Sequence, residues 1–297
     1  MEILTPCVKK IKILLEMIQF KLTVFALPFA FTGAFLAART TPRLTVIFWI
    51  LVAMVGARTC AMGFNRIVDR SFDKDNPRTS KRAIPEKEVS LFEVWGMVVL
   101  AGLLFFYACS MLNSLTLMLA PFGLFLTLFY SVTKRFTSLC HLILGVALAF
   151  SPIGGWVAVQ DSFSGYPLAL SLGVIFWVAG FDTIYGCLDA DFDRQAGLYS
   201  LPARIGKKNA FRVAGIFHLL AFIFFAMTGV QAELNIFYYL GIVLASCALV
   251  YQHLLVSPDD LSHIHASFFS MNGFISITIF IATWISLASL QCGTDGL

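Results

Sequence analysis

The chain has 297 residues, 59% of them hydrophobic and only 13% charged, with a mean hydropathy of +0.83. A soluble domain carries roughly a quarter charged residues, so this deficit excludes an ordinary soluble fold and points to a membrane protein. The formal net charge of +4 is small, and its meaning lies in how the charges are distributed.

Taken in chain order, apolar runs long enough to cross ~30 Å of hydrocarbon as helices are predicted at 18–38, 44–68, 91–112, 115–132, 137–159, 168–189, 210–230, 234–256 and 267–290. Pro28, Pro121 and Pro152 fall inside these runs, which packed membrane helices tolerate. Lys9, Lys10 and Lys12 precede the first run, but no small-residue cleavage site follows, so no cleavable signal peptide is expected. The connections are short. One all-helical bundle of nine spans, a single domain over 1–297, is the economical architecture.

Seven cysteines (Cys7, Cys60, Cys109, Cys140, Cys187, Cys247 and Cys292) stand singly, with no CxxC pair. That argues against a zinc site or a disulfide framework. With nine spans, one side of the membrane would hold Lys9, Lys10, Lys12, Arg70, Lys74, Arg78, Lys81, Arg82, Lys87, Lys134, Arg135, Arg194, Arg204, Lys207, Lys208 and Arg212. The other side would hold only Arg39 and Arg43, while Lys21, Arg58 and Arg66 fall within or near spans. The positive-inside rule assigns the first side to the cytoplasm.

Two acidic clusters lie on that side. Asn65, Asp69 and Asp73 are spaced by four at the end of the second run, which stacks them on one helical face. Asp182, Asp189 and Asp193 end the sixth run; seven residues make about two turns, so a continuous helix would align them as well. Acidic residues at helix ends are often solvated loop charges. Two such ladders on one side favour a site instead, because stacked carboxylates in low dielectric need a cation. Mg²⁺ prefers hard oxygen ligands and commonly shares one or two carboxylates with a substrate phosphate. Two facing ladders could therefore hold Mg²⁺ on a diphosphate and neutralise it as a leaving group.

Arg78 and Arg82 follow the first cluster, and Lys134-Arg135 closes the fourth run, where topology alone would also place basic residues. Arg58 is different, lying seven residues before Asn65 and about two turns deeper. A buried Arg needs an anionic partner, either a helix carboxylate or the carboxylate of a substrate. His263 and His265 fall in a polar loop and read as solvated side chains.

These residues together make the chain resemble the UbiA-type intramembrane prenyltransferase family over nearly its whole length. N-x-x-x-D-x-x-x-D matches Asn65, Asp69 and Asp73; D-x-x-x-x-x-x-D-x-x-x-D, with an internal Tyr, matches Asp182, Tyr185, Asp189 and Asp193. Between them, R-T-x-x-R-x-x-P matches Arg78, Thr79, Arg82 and Pro85, and Y-x-x-x-K-R-x-T matches Tyr130, Lys134, Arg135 and Thr137. The resemblance implies nine helices around a central cavity with a cytoplasmic cap, in the inner membrane of a bacterium. It implies Mg²⁺ on Asp69, Asp73, Asp189 and Asp193, and a polyprenyl diphosphate bound by Asn65, Arg78, Arg82, Lys134, Arg135 and Tyr185. Asp182 would position or deprotonate a small aromatic acid, and Arg58 would clasp its carboxylate. The implied reaction is polyprenyl transfer to 4-hydroxybenzoate or 1,4-dihydroxy-6-naphthoate in ubiquinone or menaquinone synthesis. It calls for the lipid bilayer but for neither nucleic acid nor an obligate protein partner.

Three positions depart from the common pattern. Arg66 stands where many members have Asp, Pro85-Glu86-Lys87 replaces Pro-x-Gly, and His141 replaces a Gln of many 4-hydroxybenzoate enzymes. The segments 130–137 and 151–156 look closer to the naphthoate branch. A related enzyme acting on haem or homogentisate is a second reading. A secondary transporter is a third, but transporters hold such charges near the midplane rather than at helix ends.

Overall fold

The computed structural model describes residues 6–18 and 23–294, which form helices and loops with no strand among them. A short helix α1 (Pro6–Met17) precedes α2 (Thr23–Ala38) and the long α3 (Leu44–Asp75). Then come α4 (Leu91–Ser110), α5 (Ser114–Thr133), α6 (Cys140–Gln160) and α7 (Leu168–Gly186). Two short helices, α8 (Ala190–Gln195) and α9 (Leu201–Ile205), lead to α10 (Lys207–Gln231) and α11 (Ile236–Leu255). A turn α12 (Ile264–Ala266) and a π-type segment (Ser267–Met271) run into α13 (Asn272–Thr294).

Eight segments are long and apolar enough to cross a membrane: α3, α4, α5, α6, α7, α10, α11 and Phe269–Cys292. The nine predicted runs thus reappear as these eight and the shorter apolar α2. Of the predicted run 18–38, residues 19–22, Lys21 among them, lie outside the described residues. The chain is a multi-pass integral membrane protein. The cysteines with described side chains are all free thiols.

Helix boundaries follow local chemistry. Ser90 and Glu93 cap α4 reciprocally, with Glu93 Oε2 accepting from Ser90 N at 2.7 Å. Asn113 and Asn235 cap α5 and α11 by accepting from Thr116 N and Phe237 N. Close packing relies on glycine where backbones nearly touch: a Cβ at Gly155 would overlap the Ala30 carbonyl of α2, and one at Gly33 the Pro152 carbonyl of α6. α7 is the innermost span, with 67% of its apolar window buried against 17% for α5. Trp177, Val178 and Phe181 of α7 meet Phe29 of α2 and Phe225 of α10 in the main core.

Two boundaries correct the sequence reading. α1 is a helix in a segment to which the sequence reading assigned no element; Leu14, Met17 and Ile18 pack it on the core beside α3 and α4. The predicted run 168–189 ends early, because α7 stops at Gly186 and Asp189 becomes the N-cap of α8. Glycine is a weak helix former, and Asp favours a cap position over a helix interior. Asp189 is therefore not on the α7 face beside Asp182, although the turn still brings it to the same chamber.

Candidate active site

The last turns of α3 carry the first ladder. Asn65 Nδ2 donates to Asp69 Oδ2 at 3.2 Å, and Lys134 Nζ, at the end of α5, lies 3.3 Å from the same oxygen. Arg135 approaches Asp69 Oδ1 at 3.6 Å and donates to the Val68 carbonyl at 2.7 Å. Asp73 sits between two guanidinium groups, Arg82 at 2.7 Å and the buried Arg66 at 3.9 Å. Arg66 Nε in turn donates to the Met17 carbonyl at the end of α1.

The loop after α3 crosses to the second cluster. Asn76 Nδ2 donates to Asp189 Oδ1 at 2.9 Å, and Arg78 engages both Asp189 oxygens through Nε and Nη2. The Arg78 guanidinium also lies over the Tyr185 ring, 5.6 Å from its centroid. Asp189 keeps no side-chain cap bond to α8 because its carboxylate is spent on this clasp. Burial alone would raise its carboxyl; the Arg78 hydrogen bond and charge outweigh that and hold it below the usual carboxylate range. Asp193, on α8, is buried with no Arg or Lys in ion-pair distance among the described residues, and burial pushes its carboxyl up.

These groups line a chamber of about 270 Å³ at one end of the bundle, together with Arg58, Tyr130 and Asp182. Five aspartates (Asp69, Asp73, Asp182, Asp189, Asp193) face five basic residues (Arg58, Arg66, Arg78, Arg82, Lys134), so its formal charge is zero. Every site residue named from the sequence lines the chamber except Arg135, which reaches it through Asp69. A second cavity of about 180 Å³, mostly apolar, adjoins it and shares Arg58, Met62, Tyr130, Leu144 and Leu148 with it. Arg58 thus stands at the junction. Its Nε is buried without a hydrogen-bond partner, and no carboxylate lies in ion-pair distance among the described residues. Of the two partners considered for it, the helix carboxylate is absent from these residues.

The arrangement joins a greasy cavity to a polar pocket rich in anion donors, the layout required to hold an amphiphile with an anionic head. Comparison with known proteins gives the same direction. Residues 26–283 match the UbiA prenyltransferase family. The chain belongs to that family. A relative named 4-hydroxybenzoate octaprenyltransferase from Francisella tularensis subsp. novicida is 30% identical over 251 residues, 84% of this chain and 87% of its own length. One of the same name from Photobacterium profundum is 29% identical, over 85% of this chain and 88% of its own. Among solved structures, an apo UbiA homolog from Aeropyrum pernix K1 superposes with a TM-score of 0.78 at 31% identity, covering 91% of this chain and 98% of that one. A UbiA homolog from Archaeoglobus fulgidus bound to GPP and Mg²⁺ has a TM-score of 0.68 at 19% identity, covering 93% and 99%, and speaks for the fold.

The donor set of this UbiA-family chamber fits a hard divalent cation. Its ligand atoms are carboxylate oxygens, Asp69 Oδ1 is buried without a hydrogen-bond partner, and Asp193 has no Arg or Lys within ion-pair distance among the described residues. The carboxylates stand apart, however: no three acidic, His or Cys side chains among the described residues converge on one point. A cation held here must share its coordination with a ligand's oxygens, as Mg²⁺ commonly does with phosphates.

Sequence reasoning missed two features. His141, noted only as a departure, is buried with Nδ1 2.7 Å from Asp182 Oδ2. The apolar cavity is lined by a set of small alanines, Ala26, Ala30, Ala53, Ala57, Ala61, Ala120 and Ala147, set among larger apolar side chains that include Phe105 and Phe150. Its signal was present in the four-residue spacing of Ala53, Ala57 and Ala61, which continues into Asn65, Asp69 and Asp73.

Proposed function

We propose that the protein transfers a polyprenyl group from its diphosphate to a small aromatic acid, 4-hydroxybenzoate or 1,4-dihydroxy-6-naphthoate. The observation that carries this reading is Arg58: a cation with a buried, unpartnered Nε, placed where the polar chamber meets the apolar cavity. Such a group favours a ligand carboxylate beside the reacting end of the prenyl chain. The names of the bacterial relatives support the benzoate class.

In this reading Asp69, Asp73, Asp189 and Asp193 hold Mg²⁺ together with the diphosphate oxygens. The cation supplies charge neutralisation to the departing diphosphate. Lys134, Arg78, Arg82 and Arg135 donate to the same phosphates, with Asn65 and Tyr185 beside them. With Arg135 added to the five lining bases against five aspartates, the site carries a surplus of only one positive charge, so a trianionic diphosphate calls for a cation to enter with it. The prenyl chain lies along the alanine-lined cavity, which excludes water from the allylic cation left when the C–O bond breaks. Arg58 clasps the acceptor so that an electron-rich ring carbon beside its hydroxyl attacks that cation, and Asp182 takes the ring proton.

The polar end of the bundle faces the cytoplasm in this reading, since its loops carry the basic residues and the opposite loops carry Arg39 and Arg43. The host membrane is then a bacterial inner membrane, a reading supported by the bacterial sources of these relatives.

The test is turnover by the purified protein with Mg²⁺ and a long-chain prenyl diphosphate, offered both acids in parallel with products identified by mass. A prenylated acid is expected. Prenyl transfer to neither acid, with haem or homogentisate accepted instead, would overturn the aromatic-acid assignment.

A further inference from the structure

Asp182 differs from the ladder carboxylates in what holds it. Asp69, Asp73 and Asp189 each lie within ion-pair distance of an Arg or Lys, whereas Asp182 is held by a histidine, His141, at 2.7 Å. The His141 side chain is 7% exposed and that of Asp182 26%, so the ring stands behind a carboxylate that faces the chamber. Nε2, the second ring nitrogen, faces the backbone N–H of Leu201 at 3.4 Å. An amide N–H can only donate, so Nε2 is the acceptor and the ring proton sits on Nδ1, where it is donated to Asp182 Oδ2. The ring is also wedged: a Cβ at Gly186 would lie 3.0 Å from its Cε1. Its tautomer and its plane are thus both fixed by neighbours, and among the described residues the Asp182 carboxylate has no other hydrogen-bond partner.

We propose that His141 is the positioning residue of the acceptor base, fixing Asp182 so that one oxygen is tied and the other is presented to the substrate. This rests on the preceding reading, in which Asp182 takes the ring proton. The step balances simply. The ring C–H electrons return to the aromatic system and the proton passes to the free Asp182 oxygen. His141 keeps its Nδ1 proton throughout. The Leu201 contact adds a second consequence: the same ring reaches the segment that follows Asp193, so acceptor positioning and the diphosphate side of the chamber share one fixed point.

The experiment compares His141→Leu, which removes the donor, with His141→Gln, whose amide can replace it, each in the wild-type and Asp182→Asn backgrounds. Loss of the tied geometry should lower kcat for prenyl transfer in His141→Leu by roughly tenfold to a hundredfold. The KM for prenyl diphosphate should stay within about twofold, and His141→Gln should recover most of the rate. In the Asp182→Asn background the Leu substitution should add almost nothing. An equal loss in both backgrounds, or no rescue by Gln, would show a merely structural histidine and overturn the proposal. Nitrogen-15 NMR of histidine-labelled protein gives a readout independent of turnover, with the His141 signal assigned by its loss in His141→Gln. An Nδ1–H tautomer that shifts in Asp182→Asn is expected, and an Nε2–H tautomer would overturn the pairing. Wild-type protein that prenylates neither aromatic acid would sink the acceptor reading, and the nitrogen spectra would still decide whether the pairing exists.

Discussion

Arg78 grips Asp189 with two nitrogens, Nε donating to Oδ1 at 2.8 Å and Nη2 to Oδ2, and so ties the loop after α3 to the turn after α7. A planar guanidinium can make both bonds at once and an ammonium cannot. Arg78→Lys should therefore raise the KM for prenyl diphosphate while keeping its charge, by roughly tenfold, since a hydrogen bond to a charged group contributes about 1.5–3 kcal/mol. Steady-state kinetics at fixed acceptor concentration checks this, and an unchanged KM would mean the clasp does not shape the diphosphate pocket.

The ladders meet the harder test. Asp69→Ala and Asp189→Ala should each lower turnover by on the order of a hundredfold or more, the scale for losing a group that stabilises developing charge. Both proteins should still be recovered in the membrane fraction. Chelation of divalent metal should silence the wild type, and added Mg²⁺ should restore it. Near-wild-type activity in either variant would remove the two-ladder mechanism.

Arg58 offers a selective effect. Because it stands at the junction of the two cavities with no described carboxylate partner, Arg58→Ala should raise the acceptor's apparent KM more than that of the prenyl diphosphate. Parallel titration of the two substrates decides the matter. Equal changes in both would dispose of the carboxylate clasp.

Chain-length preference should respond to the alanine lining. Ala57 lines the apolar cavity, and Ala57→Phe would fill part of its roughly 180 Å³. The variant should favour shorter prenyl diphosphates in a competition of mixed chain lengths read by mass spectrometry. An unaltered product distribution would place the prenyl chain elsewhere.

The ladder on α3 was legible because its spacing lies within one uninterrupted helix, Leu44–Asp75, where period alone sets the face. The second cluster was legible in composition but not in geometry. Nothing in the apolar pattern marks Gly186 as the end of α7, and the chamber rather than the helix reunites Asp182 with Asp189. Arg66 was read only as a departure from the family pattern, and its actual contact, 3.9 Å from Asp73, depends on a chain fold no local pattern encodes. α1 escaped notice for a related reason: its lysines stand out in the sequence, while the packing of Leu14 and Met17 is tertiary. His141 pairs with a residue 41 positions away, a separation beyond any reading of periodicity.

The equal number of acids and bases lining the chamber also bears on how the protein is made and handled. An electrically balanced pocket can enter a bilayer, and survive detergent extraction, without waiting for a counter-ion. Where the charges are paired, as Asp73 is with Arg82, deleting one strands the other in a medium of low dielectric, so such single removals burden biogenesis as well as chemistry. Paired removals, such as Asp73 with Arg82, keep the balance and separate the two burdens. A defect that the pair repairs belongs to insertion and folding, and one that persists belongs to the reaction.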